Sequence, residues 1–212
     1  TIGMRPGEKM HEILIPEDRM YGAKVGQFVV VQVDSFPESN RQPVGHVVDV
    51  VGNASDPGIE VQVALRTYDL PYEFSDEAIS QAKAFGDDID QSIAATRLDL
   101  RNLPFVTIDG EDAKDFDDAV YAAPREKNGW TLWVAIADVA NYVKELSPLD
   151  QTAVERGTSV YFPSQVIPML PETLSNGLCS LNPHVDRLAL AVCLEITSTG
   201  RVIRNRFHEV VF

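Results

Sequence analysis

The sequence predicts an α+β chain: a small partial β-barrel, then a helical connector, then the opening part of a mixed α/β domain. Two observations predict it. Through the first seventy residues, short β-branched runs recur at roughly ten-residue spacing, separated by turn dipeptides. From Leu103 onward, strand-like and helix-like segments alternate instead. Apolar runs such as Phe28–Val31 and Leu188–Leu194 fall far short of the roughly 20 residues needed to span a bilayer. No segment has the basic start, apolar middle and small-residue cleavage site of a signal peptide. Membrane-spanning, collagen-like and wholly disordered classes are excluded.

In chain order, Glu12–Ile15 reads as a strand ended by Pro16. Gln27–Val33 reads as a strand opened by Gly26. Pro43–Val51 and Ile59–Leu65 read as two more, separated by Gly52-Asn53 and Asp56-Pro57-Gly58. Such spacing suits a five-stranded barrel of the oligonucleotide-binding kind, with its first strands partly missing. At Ser75 the period changes. Ser75 is a good N-cap, Asp76 and Glu77 suit a first turn, and Gly86 suits the position after a helix end. Ala78, Ile79, Ala82 and Phe85 fall on one face, and a second short helix is expected from about Asp90 to Ala95. Beyond these, Phe105–Ile108, Ala119–Tyr121 and Thr131–Ala137 read as strands and Pro148–Arg156 as a helix. Residues 158–187 form a turn-rich stretch. Leu188–Ile196 and Val202–Phe212 form a final pair around Thr199-Gly200.

The net charge of −14 is shared between the halves, with 8 basic and 16 acidic side chains in residues 1–98 and 10 and 16 in the rest. Neither half is a basic patch, which argues against simple electrostatic attachment to nucleic acid. An enzyme whose acidic site holds cations is compatible with that balance. The two cysteines, Cys179 and Cys193, lack metal-site spacing and read as reduced thiols of a cytoplasmic protein. The chain opens on Thr1 and stops inside an apolar run at Phe212, which suggests a piece of a longer protein.

The chemistry is concentrated in Thr107–Ala119, thirteen residues with six acids and one base. Crowded carboxylates repel, and one or more is driven neutral unless a cation compensates. An all-oxygen ligand set suits Mg²⁺, Mn²⁺ or Ca²⁺, not Zn²⁺. A calcium hand starting at Asp109 would put Lys114 where Gly is required, and one starting at Asp115 would put Val120 there. The cluster therefore points to Mg²⁺, with Mn²⁺ the alternative, and to metal-assisted attack of water on a phosphodiester. Taken on spacing alone, a solvated acidic loop is equally admissible.

The pattern of Asp109, then five residues, then Asp115-Phe116-Asp117-Asp118 is more specific. Asp99 to Val120 resembles the first signature of the RNB family of 3′→5′ exoribonucleases. The resemblance continues through Trp133–Val139, Gly157–Pro163, Ile167–Pro171 and Leu174–Pro183. Upstream, Ile13–Pro16 and Ala64–Thr67 resemble the second cold-shock domain of the family's bacterial members. The resemblance implies a partial OB-fold (cold-shock) barrel in residues 1–70, a helical connector at 71–98 and the N-terminal part of an RNB catalytic domain at 99–212. It implies processive 3′→5′ hydrolysis of single-stranded or 3′-overhang RNA to nucleoside 5′-monophosphates with Mg²⁺, by a cytoplasmic protein with no membrane attachment. Carried over by position, Asp109, Asp115 and Asp118 are metal ligands and Asp117 and Asp115 are catalytic. Tyr161 packs against the RNA near its 3′ end. The family's catalytic domain runs further than this chain, so the 212-residue piece is expected to be inactive alone.

Two other functions are weighed. One is a non-catalytic RNA-binding module with a structural metal site; the other is a phosphatase for small phosphate esters, indifferent to polymer length. Glu111 and Asp112 read as solvated turn acids, and Asp138 as a local cap or hydrogen-bonding group, with a supporting role near the site as the alternative. His184 and His208 read as surface or structural, and nothing in the sequence selects Arg41, Arg66 or Arg187 for RNA.

Overall fold

The structure is a computed structural model that describes residues 12–37, 41–126 and 128–212. The chain divides into two units, residues 1–72 with 161–165, and residues 73–160 with 166–212.

In the first unit, β1 (Gln27–Ser35) pairs antiparallel with β2 (Val44–Asn53). Three register shifts interrupt the ladder. Such irregularities bend and twist a ribbon, as a small barrel requires. Glu12–Ile15, expected as a strand, is reduced to one parallel bridge from Leu14 to Val44. Gly45 sits at that junction because nothing larger fits: a Cβ there would lie 2.5 Å from the Gln32 carbonyl oxygen and 3.2 Å from Ile13. The larger correction is Ile59–Leu65, expected as a strand. It is the first part of a helix, α1 (Ile59–Thr67). Its apolar-polar alternation mimics period 2, but Val61 and Leu65, four apart, are buried on one helical face. Gly58, at φ +75°, supplies the left-handed entry, Glu60 sits in the first turn and Arg66 in the last. The Arg66 guanidinium ties the helix to Asp49 of β2 at 3.0 Å and covers the Tyr72 ring.

In the second unit, α2 (Asp76–Ala84) starts where expected, with the Ser75 hydroxyl accepting from Ala78 N–H at 3.1 Å. The one-turn α3 (Gln91–Ala94) is capped by Asp90. Ala78, Ala82, Ile89 and Ala94 from this region are buried in one core with Tyr142, Leu149, Leu174, Leu178, Leu188 and Val211. A five-stranded sheet follows, built from β3 (Leu98–Asp99), β4 (Asp118–Pro124), β5 (Trp130–Ala137), β8 (Leu188–Ile196) and β9 (Val202–Val211). Its order is β3-β9-β8-β5-β4, antiparallel except for β3 beside β9. Between β5 and β8 lie α4 (Val139–Tyr142), α5 (Pro148–Arg156), a short hairpin of β6 (Val160–Tyr161) and β7 (Val166–Ile167), and a π-type turn at Thr173–Leu178. From the turn-rich stretch 158–187, Leu170, Leu174 and Leu178 are buried in the core with the helices, and Leu181 against Ala119 and Ala137 of the sheet.

Residues directly opposite one another in the sheet share a face. Ala119, Ala135, Ala137, Ala189, Ala191 and Val210 line the buried face. Small side chains there let Leu100, Phe105 and Phe212 pack close over the sheet. The other face carries Ile136, Leu190 and Phe207, each about half exposed or more.

Candidate functional site

The acidic segment runs from the covering layer into the edge strand β4, which sits next to β5. Phe105–Ile108, expected as a strand, makes one antiparallel bridge, Val106 to Val120, with both hydrogen bonds at 2.9 Å. Phe105 anchors the start of the segment by stacking on Phe212 at 4.6 Å. A turn closes at Ala113 N–H to Gly110 C=O. The chain then passes Asp115, Phe116 and Asp117 and enters β4 at Asp118, which lies opposite Ile136. Phe116 turns into an apolar cluster with Ala119, Ala137 and Leu181. Its aromatic ring fixes the middle of the acidic run from the inside.

The main chain of this run is held along its length. Ala137 N–H donates to the Asp117 carbonyl and Leu181 N–H to the Phe116 carbonyl, both at 2.9 Å. The Ser180 hydroxyl accepts from Phe116 N–H at 3.0 Å and donates to the Lys114 carbonyl at 2.8 Å. Ser180 is fully buried. Its carbonyl accepts from Nε of Arg187, a buried arginine, at 2.8 Å.

The four aspartates singled out by sequence are electrostatically coupled. The carboxyl of Asp117 is pushed above the ordinary carboxylate range, first by loss of water around it and then by repulsion from Asp115, Asp118 and Asp109. Asp117 as a residue remains open to solvent, as do Asp109 and Asp118, while Asp115 is half-buried. Glu111 and Asp112, at the turn, are exposed. The donors are all oxygen, the chemistry a hard divalent cation selects. The repulsion at Asp117 is what such a cation would relieve. Among the described residues, however, no three Asp, Glu, His or Cys groups are gathered so as to hold a metal ion.

Tyr161 closes β6 with its side chain 63% exposed, and it belongs with the first unit. Asp138 does not cap α4 as expected. It makes a buried ion pair with Arg97, 2.5 Å between Nη2 and Oδ2. Arg187, left open as an RNA contact, is buried and bonded to main-chain carbonyls. Cys179 is buried and Cys193 half-buried, and both are free thiols. Ser180 supports the acidic run directly and Arg187 supports it through Ser180; Ser180 lies within the Leu174–Pro183 resemblance, yet nothing in the sequence marks its hydroxyl.

Residues 97–211, more than half of the chain, match the RNB domain. The chain belongs to the RNB family. Residues 7–75 match a cold shock domain, upstream of that RNB portion. Among RNB relatives, the chain is 50% identical to ribonuclease R of Escherichia coli (strain K12) over 200 residues, 94% of this chain and 25% of that protein. It is 54% identical to ribonuclease R of Acidithiobacillus ferrooxidans over 184 residues, 87% of this chain and 42% of the relative. The structure of Mycoplasma genitalium RNase R in complex with double-stranded RNA superposes with a TM-score of 0.86 at 32% identity. That match covers 94% of this chain and 35% of the other. The chain therefore spans between a quarter and under a half of these relatives' length. Among the described residues no helix is long and apolar enough to cross a membrane.

Proposed function

We propose that the polypeptide carrying this chain is a processive 3′→5′ hydrolytic exoribonuclease. It would release nucleoside 5′-monophosphates from single-stranded RNA or 3′ overhangs. The observation that carries the proposal is the run of four aspartates leading into the edge strand of an RNB-family sheet, where loss of water first and repulsion from the other three second raise Asp117. Asp109, Asp115 and Asp118 would hold Mg²⁺, or Mn²⁺ in its place. The ion would supply Lewis acidity at the phosphate and an activated water. Asp117 would orient the attacking water and take its proton, a task suited to a carboxylate whose proton affinity is raised. Asp115, beside it, keeps that affinity raised and shares the reacting centre. Hydrolysis adds water across the terminal P–O3′ bond. The shortened RNA keeps a 3′-hydroxyl and the freed nucleotide a 5′-phosphate. Tyr161 offers an exposed ring on which a base near the 3′ end stacks irrespective of sequence. Two free thiols support a cytoplasmic setting.

The test uses the complete polypeptide with 5′-labelled RNA and Mg²⁺, with and without chelator. Stepwise shortening from the 3′ end and nucleoside 5′-monophosphates are expected. Internal cleavage or 3′-monophosphates would refute the proposal. A non-catalytic RNA-binding module with a structural metal site is the second reading, supported by the cold shock domain match at residues 7–75. It predicts RNA binding without chelator-sensitive shortening.

A further inference from the structure

We propose that Ser180 is a positioning residue for the aspartate quartet, an inference that rests on the nuclease assignment above. Its side chain makes two hydrogen bonds to the acidic run, and they straddle Asp115. The oxygen accepts from Phe116 N–H at 3.0 Å, and the hydroxyl donates to the Lys114 carbonyl at 2.8 Å. A hydroxyl has one donor and two acceptor sites, so one small side chain serves both directions at once. The next residue continues the clamp, Leu181 N–H to the Phe116 carbonyl at 2.9 Å. Asp115, Phe116 and Asp117 are thereby fixed against segment 180–181 by three hydrogen bonds, and Asp117 is further fixed to β5 through Ala137.

Ser180 is itself anchored. It is fully buried, its N–H donates to Gly177, and its carbonyl accepts from Asn182 N–H and Arg187 Nε, each at 2.8 Å. Arg187 exchanges both main-chain hydrogen bonds with Phe212, extending the β8–β9 ladder. The rigidity of the sheet is thus passed through Arg187 and Ser180 to the backbone that carries the carboxylates. Supports of this kind set the geometry of a site without touching substrate. In Ser180→Ala the Phe116 N–H and Lys114 carbonyl lose their partner, and Asp115 and Asp117 gain freedom.

Ser180→Ala and Ser180→Cys are made in the complete polypeptide. Steady-state hydrolysis of single-stranded RNA and Mn²⁺ affinity by calorimetry are measured. Loss of such a support typically costs about 10- to 100-fold in metal affinity or activity. Ser180→Ala should lower kcat by that order and weaken Mn²⁺ binding, with KM for RNA within about twofold. Ser180→Cys, which fills the space with a weaker hydrogen-bonding group, should fall between Ala and wild type, and it decides the matter if the Ala variant does not fold. Unchanged kcat and unchanged Mn²⁺ affinity in a folded variant would overturn the proposal. If the wild type binds Mn²⁺ but hydrolyses nothing, the nuclease assignment fails. The Mn²⁺ affinity of the variants then still decides the role of Ser180: weaker binding supports it and equal binding overturns it.

Discussion

Replacing Arg97 by Met tests how the second unit supports its acidic edge. The Arg97 side chain is 4% exposed and that of Asp138 17%, and they meet at 2.5 Å. Arg97 Nη1 also donates to the Ala189 carbonyl at 3.3 Å. Asp138 follows Ala137, whose N–H holds the Asp117 carbonyl. The substitution leaves a largely buried carboxylate without its counter-charge, and breaking a buried pair this way costs about 3–5 kcal/mol. Nε of Arg97 is buried without a partner, so the pair is imperfectly satisfied and the low end of that range is expected. In a chain of this size each kcal/mol lowers Tm by about 2–4 °C, giving a fall of roughly 6–12 °C for about 3 kcal/mol. Thermal unfolding followed by circular dichroism measures it. Replacing both partners, Arg97→Met with Asp138→Leu, removes the orphaned charge and should cost less than Arg97→Met alone. A fall below about 2 °C for the single variant, or strictly additive effects, would refute the reasoning.

Three further outcomes follow from the charges and thiols. The Cys179 thiol is pushed up to about 12 by burial, with repulsion from Asp117 and Asp138 added. Iodoacetamide at pH 8 should therefore modify Cys193 well before Cys179, and denaturant should equalise them, as read by mass spectrometry. Hydrogen bonds from Arg101 hold the Asp99 carboxyl down at about 2. Its contribution to stability is present above the unfolded value of about 3.9 and is lost as pH falls toward 2; carboxyl NMR should show the low midpoint, and Arg101→Gln should raise it. Asp117 has the opposite sign. Its raised value means that ionisation opposes folding, so its favourable contribution is present at low pH and fades as pH rises through the folded value. Asp118→Asn should lower the Asp117 midpoint by NMR titration, and no movement would show that the carboxylates are not coupled.

Much of the second unit was legible because its signals are local. Ser75 caps α2 through its own neighbours, and Gly200, at φ +83°, turns β8 into β9. Ile59–Leu65 misled because its first five residues alternate apolar and polar, and the buried pair four apart emerges only when the helix packs on β2. Glu12–Ile15 and Phe105–Ile108 have strand composition but find one bridging partner each, so pairing and not propensity set their extent. The aspartates were legible because they lie within ten residues of one another. Ser180 is 64 residues from Phe116, and Asp138 is 41 from Arg97. Contacts at such separation depend on the fold, and no local pattern announces them.

In the proposed function Asp117 does chemistry beside Asp109, Asp115 and Asp118, which would hold a cation. Asp117→Asn in the complete polypeptide, assayed for single-stranded RNA hydrolysis and RNA affinity side by side, tests it most directly, with exposed Asp112→Asn as the control. Asp117→Asn should abolish nucleotide release while RNA affinity stays near wild type, and Asp112→Asn should change neither. Undiminished nucleotide release by Asp117→Asn would contradict it.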